Sequence, residues 1–197
     1  MNQPDIEGAR QYALKRLETE LVPSLYFHSA AHTRDDVVPA AERLAHLEQV
    51  NGDNLLLLRT AAFFHDIGFV EQPQNHEMIS ARIAGEILPQ FGYLPEQIKT
   101  IQSLIMATHL PHVPETLLEA ILADADLDSL GREDFMARSQ ALRDEQQAFG
   151  TIVNDKEWYQ GQIKFLKEHN YFTPSAKKLR NDRKNLNIQQ LINILRE

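Results

Sequence analysis

The stretch Phe63-Phe64-His65-Asp66-Ile67-Gly68-Phe69 places an imidazole and a carboxylate side by side at the end of a long apolar run. Two polar groups in such surroundings cost free energy unless something binds them, which makes a metal ion the first candidate. Gly68 is typical of a helix end in the left-handed conformation. We therefore expect His65 and Asp66 in the last turn of a buried helix, at the mouth of a pocket.

The bulk composition indicates one globular domain, residues 1–197, that does not cross a membrane. Of the 197 residues, 43% are hydrophobic and 24% are charged, and no linker rich in glycine, serine or proline divides them. The apolar runs are too short to span a bilayer, and the first residues lack the basic start and apolar stretch of a secretory signal. Since the chain has no cysteine, thiolate metal sites are excluded, and we expect a cytoplasmic protein.

The net charge of -8 argues against binding to a nucleic acid polymer, because such binding depends on lysines and arginines that neutralise phosphates. Residues 173–197 are an exception, since they hold six basic and two acidic side chains. We interpret this segment as the solvated face of a helix rather than as a phosphate-binding tail.

Apolar residues recur at three- and four-residue intervals along most of the chain, and no stretch shows the sustained alternation of a strand. This periodicity predicts an all-α fold, a single-domain bundle of about eight to nine helices. We expect the helices of residues 150–197 to pack on the part that carries the motifs, about residues 25–145. The segment 25–33 leads into a second predicted helix that continues through Val37, Ala41, Leu44 and Leu47 to Asn51-Gly52. The other predicted helices cover residues 5–22, 55–66, 75–89, 95–109, 115–131, 133–149, 155–169 and 175–195.

Histidines and aspartates cluster near the ends of these predicted helices. Neutral imidazole nitrogens and carboxylate oxygens together suit Mn, Fe, Co, Ni or Zn, and also Mg if few nitrogens bind. The set is large enough for one divalent ion and part of a second. Its members come from five different helices and are His32, His65, Asp66, His76, His109 and either Asp124 or Asp126.

The order His, His-Asp, Asp on an all-α chain of this size resembles the HD superfamily of metal-dependent phosphohydrolases, over about residues 25–145. The resemblance implies an HD-type helical bundle with one or two divalent ions. In this resemblance His32 corresponds to the first histidine, and His65 with Asp66 to the doublet that names the family. The last ligand corresponds to an aspartate of Asp124-Ala125-Asp126.

The choice between the two aspartates stays open at this point. Asp124 and Asp126 point about 200° apart on a helix, so both cannot face one ion. Alignment of the Asp-x-Asp with relatives favours Asp126. Helix phase leaves Asp124 as an alternative, because it also follows the apolar pair Ile121-Leu122.

The segments around His76 and His109 resemble the two extra histidines of HD branches that hold a second metal. The loop between Asp66 and His76 is shorter than in the cyclic-dinucleotide branch, and the signature motif of that branch is absent. The resemblance therefore disfavours a cyclic dinucleotide as substrate.

The resemblance implies a hydrolase that uses metal-activated water on a small phosphate ester, a nucleotide or a related phosphomonoester or diester. The first ion would be held by His32, His65, Asp66 and Asp126, or by Asp124 in place of Asp126. Asp66 would also orient the attacking water. His76 and His109 would complete a second metal site, donate hydrogen bonds to the phosphate or protonate the leaving group.

Three further side chains are candidates for substrate contacts. Arg34 and Arg82 could bind phosphate, since a guanidinium matches phosphate oxygens with two hydrogen bonds. Each could instead pair with an acidic neighbour. Glu77 is a candidate general base or partner of a metal ligand, with a solvated residue of the first helical turn as the alternative.

We assign structural roles to the remaining histidines and aromatic residues. His28 lies one turn before His32, and we expect it to pack or to hydrogen-bond to a ligand. His46 and His169 are interpreted as surface residues. Trp158 and Phe165 are spaced like residues of a core face.

Two other functions use the same residues. Some members of the superfamily place two irons on this six-ligand set and use dioxygen, so a di-iron oxygenase is the main alternative. A binding module without turnover is a weaker alternative, because no ligand position of the resemblance is lost.

Overall fold

The structure, a computed structural model that describes residues 3–196, consists of helices joined by turns and loops. Within that range there are nine α-helices and no β-strand, which confirms the predicted all-α fold. The helices are α1 (Ile6–Glu20), α2 (Val38–Leu47), α3 (Gly52–Phe64), α4 (His76–Ile87), α5 (Pro95–Met106), α6 (Leu117–Asp126), α7 (Phe135–Ala148), α8 (Asp155–Glu168) and α9 (Pro174–Ile194). No helix between residues 3 and 196 has the length and apolar character needed to cross a membrane.

Short sequence signals start several of these helices. The side chain of Asp5 accepts a hydrogen bond from the backbone at the start of α1. Thr116 and Glu119 form a capping box at α6, and Asn154 and Glu157 form another at α8. In each box the two side chains satisfy backbone amides that the helix leaves free. These helix starts therefore depend on a few neighbouring residues.

The second predicted helix differs from the observed structure. Residues His32–Val37 form a π-helical turn between the α-helical residues 30–31 and helix α2, which begins at Val38. Pro39 lies in the first turn of α2 and has no amide hydrogen to continue a regular ladder. The amide of Val38 donates instead to the carbonyl of Thr33, five residues earlier. The predicted second helix is therefore present, but its first part is a π-helical turn that begins at the buried His32, and it ends at Leu47 rather than at Asn51.

The main apolar core surrounds α3. Its residues Leu58, Ala61, Ala62 and Phe64 are fully buried, and α3 packs against α1, α2, α5 and α6. A helix that is apolar on all sides is stable only when other elements cover it. Polar groups at the end of α3 are thus attached to one of the most enclosed elements of the fold.

A second, smaller apolar cluster lies where α7, α8 and α9 meet. It consists of Leu130, Phe135, Leu166, Ile188 and Leu191. Because these side chains belong to the C-terminal helices and to the turn after α6, they join residues beyond 150 to the part of the chain that carries the motifs.

Helix α9 is anchored by some of its basic residues. Arg180 donates two hydrogen bonds to Asp128, at 2.7 and 2.8 Å. Lys184 is buried, and its Nζ donates to the carbonyl of His169 at 2.6 Å and lies 3.3 Å from the ring of His169. The predictions of a solvated basic face and of a surface His169 are therefore wrong at these positions.

Gly68 positions the start of α4 against the end of α3. It lies in a 3₁₀ turn, Ile67–Val70, and its φ angle is not positive. The predicted left-handed conformation is therefore wrong. A Cβ at this position would overlap the carbonyl oxygen of His76. The amide of Gly68 also donates to Ser80 Oγ at 2.8 Å. Glycine is needed here for close approach, and that approach brings His76 next to Asp66.

Candidate metal centre

His65 and Asp66 directly follow the last residue of α3, and the backbone of α3 orients the imidazole. His65 Nδ1 lies 2.8 Å from the carbonyl oxygen of Ala62. A carbonyl can only accept, so this contact assigns the ring proton to Nδ1 and leaves the lone pair of Nε2 available to a metal ion. His65 and Asp66 are both buried, with exposures of 0% and 4%.

Four side chains converge at this point from three parts of the chain. His65 Nε2 lies 3.2 Å from Asp66 Oδ2 and 3.4 Å from Asp126 Oδ1. His32 Nε2 lies 3.8 Å from Asp66 Oδ2 and 3.4 Å from Asp126 Oδ1. Ligand atoms of His32, His65 and Asp66 all lie within 4.8 Å of one another. One divalent ion can be bound by atoms at these separations.

Two atoms of this cluster are buried without a hydrogen-bond partner in the described part of the chain, His65 Nε2 and Asp66 Oδ2. With the proton on Nδ1, the 3.2 Å contact between them joins two acceptors. A buried polar atom without a partner costs about 1–3 kcal/mol. A cation between the two atoms would satisfy both, so the residues fit a metal ion.

Asp124 and Asp126 are separated by the structure. Asp126 belongs to the cluster. Asp124 is fully buried and accepts hydrogen bonds from the amides of Phe172 and Thr173, both at 2.8 Å, and from Thr173 Oγ1 at 2.7 Å. The carboxylate of Asp124 thus holds the segment that enters α9. The structure does not bring it to the group of His32, His65, Asp66 and Asp126, which we call the metal cluster.

A second group of polar side chains adjoins the first. His76 Nε2 lies 3.6 Å from Asp66 Oδ1 and 3.6 Å from Glu77 Oε1. The same Glu77 oxygen lies 3.2 Å from His109 Nδ1. His76 Nδ1 contacts the carbonyl of Pro73 at 3.1 Å, which leaves Nε2 free as in His65. Asp66 therefore faces His32 and His65 with Oδ2 and faces His76 with Oδ1.

The ring of His32 is backed by an acidic residue with its own partners. His32 Nδ1 lies 3.8 Å from Asp36 Oδ2, which is longer than a direct hydrogen bond. Asp36 in turn receives the guanidinium groups of Arg132 and Arg138, each at 2.7 Å. Such outer partners hold a ligating histidine in position and raise its basicity.

The cluster shifts the pKa values of its members. Burial alone lowers the pKa of His32, but the nearby carboxylates of Asp126 and Asp36 outweigh burial and raise it to about 9. Burial likewise disfavours a charged His65, yet the charge of Asp66 moves the pKa of His65 well above its usual range. Burial raises the pKa of Asp66 and Asp126, and the imidazoles beside them lower it below the usual range. The carboxylates thus favour a positive charge in their midst, which either a proton or a metal ion supplies.

Neither candidate arginine reaches the cluster. Arg34 donates to Asp35 at 2.9 Å and to Glu18 at 3.2 Å. Arg82 donates to Glu71 and Glu86 in the same way, at 2.6–3.0 Å. Both side chains are nearly half exposed and lie outside the cavity described next. The prediction that they contact phosphate is corrected by these ion pairs with acidic neighbours.

The metal cluster opens into a cavity of about 590 Å³. Five of its lining residues are site candidates, which we call the polar part: Asp66, Asp126, His76, Glu77 and His109. The side chain of His109 is the most exposed of them at 58%. The remaining lining combines apolar side chains with polar ones such as His28, Gln146 and Gln162, and much of it comes from α7, α8 and the turns before them. Both groups of ligand candidates thus contact the same enclosed space.

Sequence reasoning missed two features of this cavity. His28 Nδ1 lies 2.5 Å from Glu145 Oε1, and the ring of His28 stacks on Phe69 with centroids 4.3 Å apart. Their separation by 117 residues leaves no local signal for this pair. Trp158 and Phe165 line the cavity, although their helical spacing is equally typical of a core face.

Residues 37–129 match the family model of the HD domain. This range is just under half of the chain. The matched range includes His65, Asp66 and Asp126 and begins after His32. The HD-domain match and the buried His/His/Asp group together support a metal-dependent phosphohydrolase in general, with a site that could hold a divalent metal.

Solved structures show the same fold over nearly the whole chain. A predicted HD superfamily hydrolase from an uncultured Thermotogales bacterium is 19% identical, with a TM-score of 0.66 that covers 98% of this chain and 92% of that one. Bacillus subtilis YpgQ is 18% identical, with a TM-score of 0.68, 96% of this chain and 93% of that chain covered. YpgQ in complex with ADP gives a TM-score of 0.67 at 17% identity, with 96% and 95% covered.

A curated relative is similar over a shorter stretch. The bifunctional uridylyltransferase/uridylyl-removing enzyme of Cereibacter sphaeroides is 30% identical over 74 residues, which cover 38% of this chain and only 7% of the enzyme. The similarity therefore concerns a small part of that protein.

Proposed function

We propose that the protein is a metal-dependent phosphohydrolase acting on a small phosphate ester, a nucleotide or a related phosphomonoester or diester. The observation that carries the proposal is the pair of buried atoms without partners among the described residues, His65 Nε2 and Asp66 Oδ2. They lie within reach of His32 and Asp126, at one end of a cavity large enough for a small substrate. Imidazole nitrogens with carboxylate oxygens are typical ligands of catalytic divalent ions.

We assign the first ion to His32, His65, Asp66 and Asp126. Asp66 can also contact a second ion, because its Oδ1 faces His76 while its Oδ2 faces His65. A bound divalent ion lowers the pKa of coordinated water towards neutrality and offsets negative charge on phosphoryl oxygens.

The chain's own residues would supply orientation and proton transfer. Asp66 Oδ1, the oxygen that faces His76, is placed to accept a hydrogen bond from a water molecule. His109 is the most exposed member of the polar part, and its ring is held by Glu77 at 3.2 Å. A histidine supported by a carboxylate is suited to donate a proton to a leaving oxygen. His76, His109 and Asp66 are thus our candidates for catalytic roles.

Comparison with relatives supports a phosphorylated ligand. YpgQ, which has the same fold, is described in complex with ADP. The HD domain itself supports hydrolase chemistry. We infer from these two findings that the cavity of this chain accepts a small phosphorylated molecule.

Metal analysis and hydrolysis of p-nitrophenyl phosphate with Mn²⁺ or Co²⁺ test the proposal. His65→Ala and Asp66→Ala are each expected to lower bound metal and activity at least about 100-fold, since changes one shell further out already cost 10- to 100-fold. His46→Ala is the matched control, because His46 is an exposed histidine of α2. Site variants that retain both metal and activity would refute the proposal.

The di-iron oxygenase remains the alternative, because the ligand candidates contribute both imidazole and carboxylate groups to two adjoining sets. Protein purified without oxygen distinguishes the two functions. Two irons per chain with the optical signature of a mixed-valent pair, together with no hydrolysis, would favour the oxygenase.

A further inference from the structure

Apart from the ligand candidates, much of the cavity lining is carbon. Leu142 comes from α7, Trp158 and Phe165 come from α8, and Val153 precedes α8. We call these four residues the apolar wall. Phe165 packs against the smaller apolar core and Trp158 is buried, so the wall is backed by packed side chains. A surface of this kind favours ligands that bring apolar area out of water.

The polar atom of the wall is already bound. Trp158 Nε1 donates to Ser139 Oγ at 3.2 Å, and this contact is buried. The indole therefore presents carbon, rather than its N–H donor, to a ligand in the cavity. The guanidinium of Arg143 lies 6.0 Å from the ring centroid of Trp158, but Arg143 does not line the cavity.

The cavity is poor in free positive charge. Among its described lining residues, Arg138 is the only lysine or arginine. Its guanidinium bonds to Asp36 at 2.7 and 2.9 Å and to Asp134 at 3.2 Å. The acidic residues in the lining are Asp66, Glu77, Asp126 and Glu157. A chain of several phosphates would find no unpaired guanidinium or ammonium there, because Arg34 and Arg82 lie elsewhere in ion pairs.

We propose that the preferred substrate is a phosphate monoester with one phosphoryl group and a mainly apolar organic group that lies against the apolar wall. This inference rests on the proposed function, since the metal centre must bind the phosphoryl group. Leu110 lines the cavity and is 48% exposed, so the apolar lining continues to the opening. An organic group longer than the enclosed space can therefore extend along it.

Binding of alkylphosphonates measures this preference without turnover. In the presence of Mn²⁺, the protein is titrated with methyl-, butyl- and hexylphosphonate by calorimetry and by tryptophan fluorescence. Trp158 is the only tryptophan of the chain, so a fluorescence change reports on the wall itself. Burial of each added methylene is expected to tighten binding about two- to fourfold.

Two substitutions separate the wall from the rest of the protein. Leu142→Ala removes apolar surface from a half-buried position and is expected to weaken hexylphosphonate about tenfold while leaving methylphosphonate unchanged. Phe149→Ala is the control, because Phe149 is an exposed aromatic residue just after α7 and outside the cavity lining. Equal affinities for the three phosphonates, or an equal effect of both substitutions, would overturn the inference.

Hydrolysis then distinguishes this inference from the proposed function. Phosphate release is expected to be more efficient from hexyl phosphate than from methyl phosphate or ADP. If the phosphonates bind with the expected length dependence but no ester is hydrolysed, the proposed function is refuted and the ligand class stands. If esters are hydrolysed without length dependence, or ADP is the best substrate, the ligand class is refuted and the proposed function stands.

Discussion

Replacing Asp124 and Asp126 one at a time by asparagine separates a structural aspartate from a metal ligand. The two residues lie two positions apart in α6, and asparagine has nearly the same shape as aspartate. Asp124 accepts three hydrogen bonds from Phe172 and Thr173, whereas Asp126 Oδ1 faces the rings of His32 and His65 at 3.4 Å. The same chemical change therefore meets donors at one position and a metal cluster at the other.

Asp124→Asn is expected to destabilise the fold. The new amide group has one acceptor oxygen, so its NH₂ faces a backbone N–H or a hydroxyl that previously donated to the carboxylate. With buried donors left unsatisfied at about 1–3 kcal/mol each, the loss is about 3 kcal/mol. For a chain of this size that corresponds to a fall in Tm of about 6–12 °C. Metal affinity is expected to stay within about threefold, because the cluster is not contacted.

Asp126→Asn is expected to weaken metal binding and to leave the stability of the fold nearly unchanged. Removing the charge of this proposed ligand is expected to lower Mn²⁺ affinity at least about 100-fold, because changes to residues that only support a ligand already cost 10- to 100-fold. Its side chain is 19% exposed and its contacts are those of the cluster, so the Tm with EDTA is expected to change by less than about 3 °C.

Thermal melts with EDTA and Mn²⁺ titrations by calorimetry measure both quantities for both variants. The crossed pattern, a lower Tm for one variant and lost metal binding for the other, is the result that the geometry requires. Loss of metal binding in Asp124→Asn with intact binding in Asp126→Asn would refute the assignment of both carboxylates.

Two further predictions concern pH and backbone packing. Burial, with the charge of Lys184, lowers the pKa of His169 to about 3, so between that pH and about 6.5 the unfolded chain binds one more proton than the folded chain, and the free energy of unfolding falls by about 1 kcal/mol per unit of falling pH. His169→Asn is expected to lose this part of the pH dependence. Urea unfolding of both proteins at pH 7, 6 and 5 measures it, and equal pH slopes for wild type and variant would contradict the prediction. Gly68→Ala is expected to lower Mn²⁺ affinity or Tm, because the added Cβ would overlap the carbonyl oxygen of His76. Gly161→Ala is the control, because a Cβ at that position of α8 meets no other atom. Equal changes of Mn²⁺ affinity and Tm in the two variants would contradict this account.

Much of the fold follows from local patterns of the sequence. Apolar periodicity predicted an all-α chain, and the capping pairs Thr116–Glu119 and Asn154–Glu157 start α6 and α8 where they stand. The spacing of residues within one helix depends only on helical geometry, which the sequence contains. Where a local constraint was overlooked, as at Pro39, the structure has a π-helical turn in place of regular α-helix.

The candidate site followed from sequence only in part. The order His32, His65-Asp66, His76 and Asp124 or Asp126 named the cluster, and the structure brings all of these together except Asp124. The directions of Arg34 and Arg82 were not predictable, because each had acidic partners as well as a route towards phosphate. The pair of His28 and Glu145 depends on how α7 packs against the segment before α2.

The sequence by itself determined the helical class of this protein, and it identified which histidines and aspartates can serve as ligands, because both properties depend on residue type and short-range spacing. Only the tertiary structure shows that Asp126, and not Asp124, lies beside His32 and His65, because helix phase alone left both residues as candidates. The segment that enters α9 supplies three donors to Asp124, and the metal cluster faces Asp126. Hydrogen-bond partners from distant parts of the chain thus assign different roles to two identical side chains.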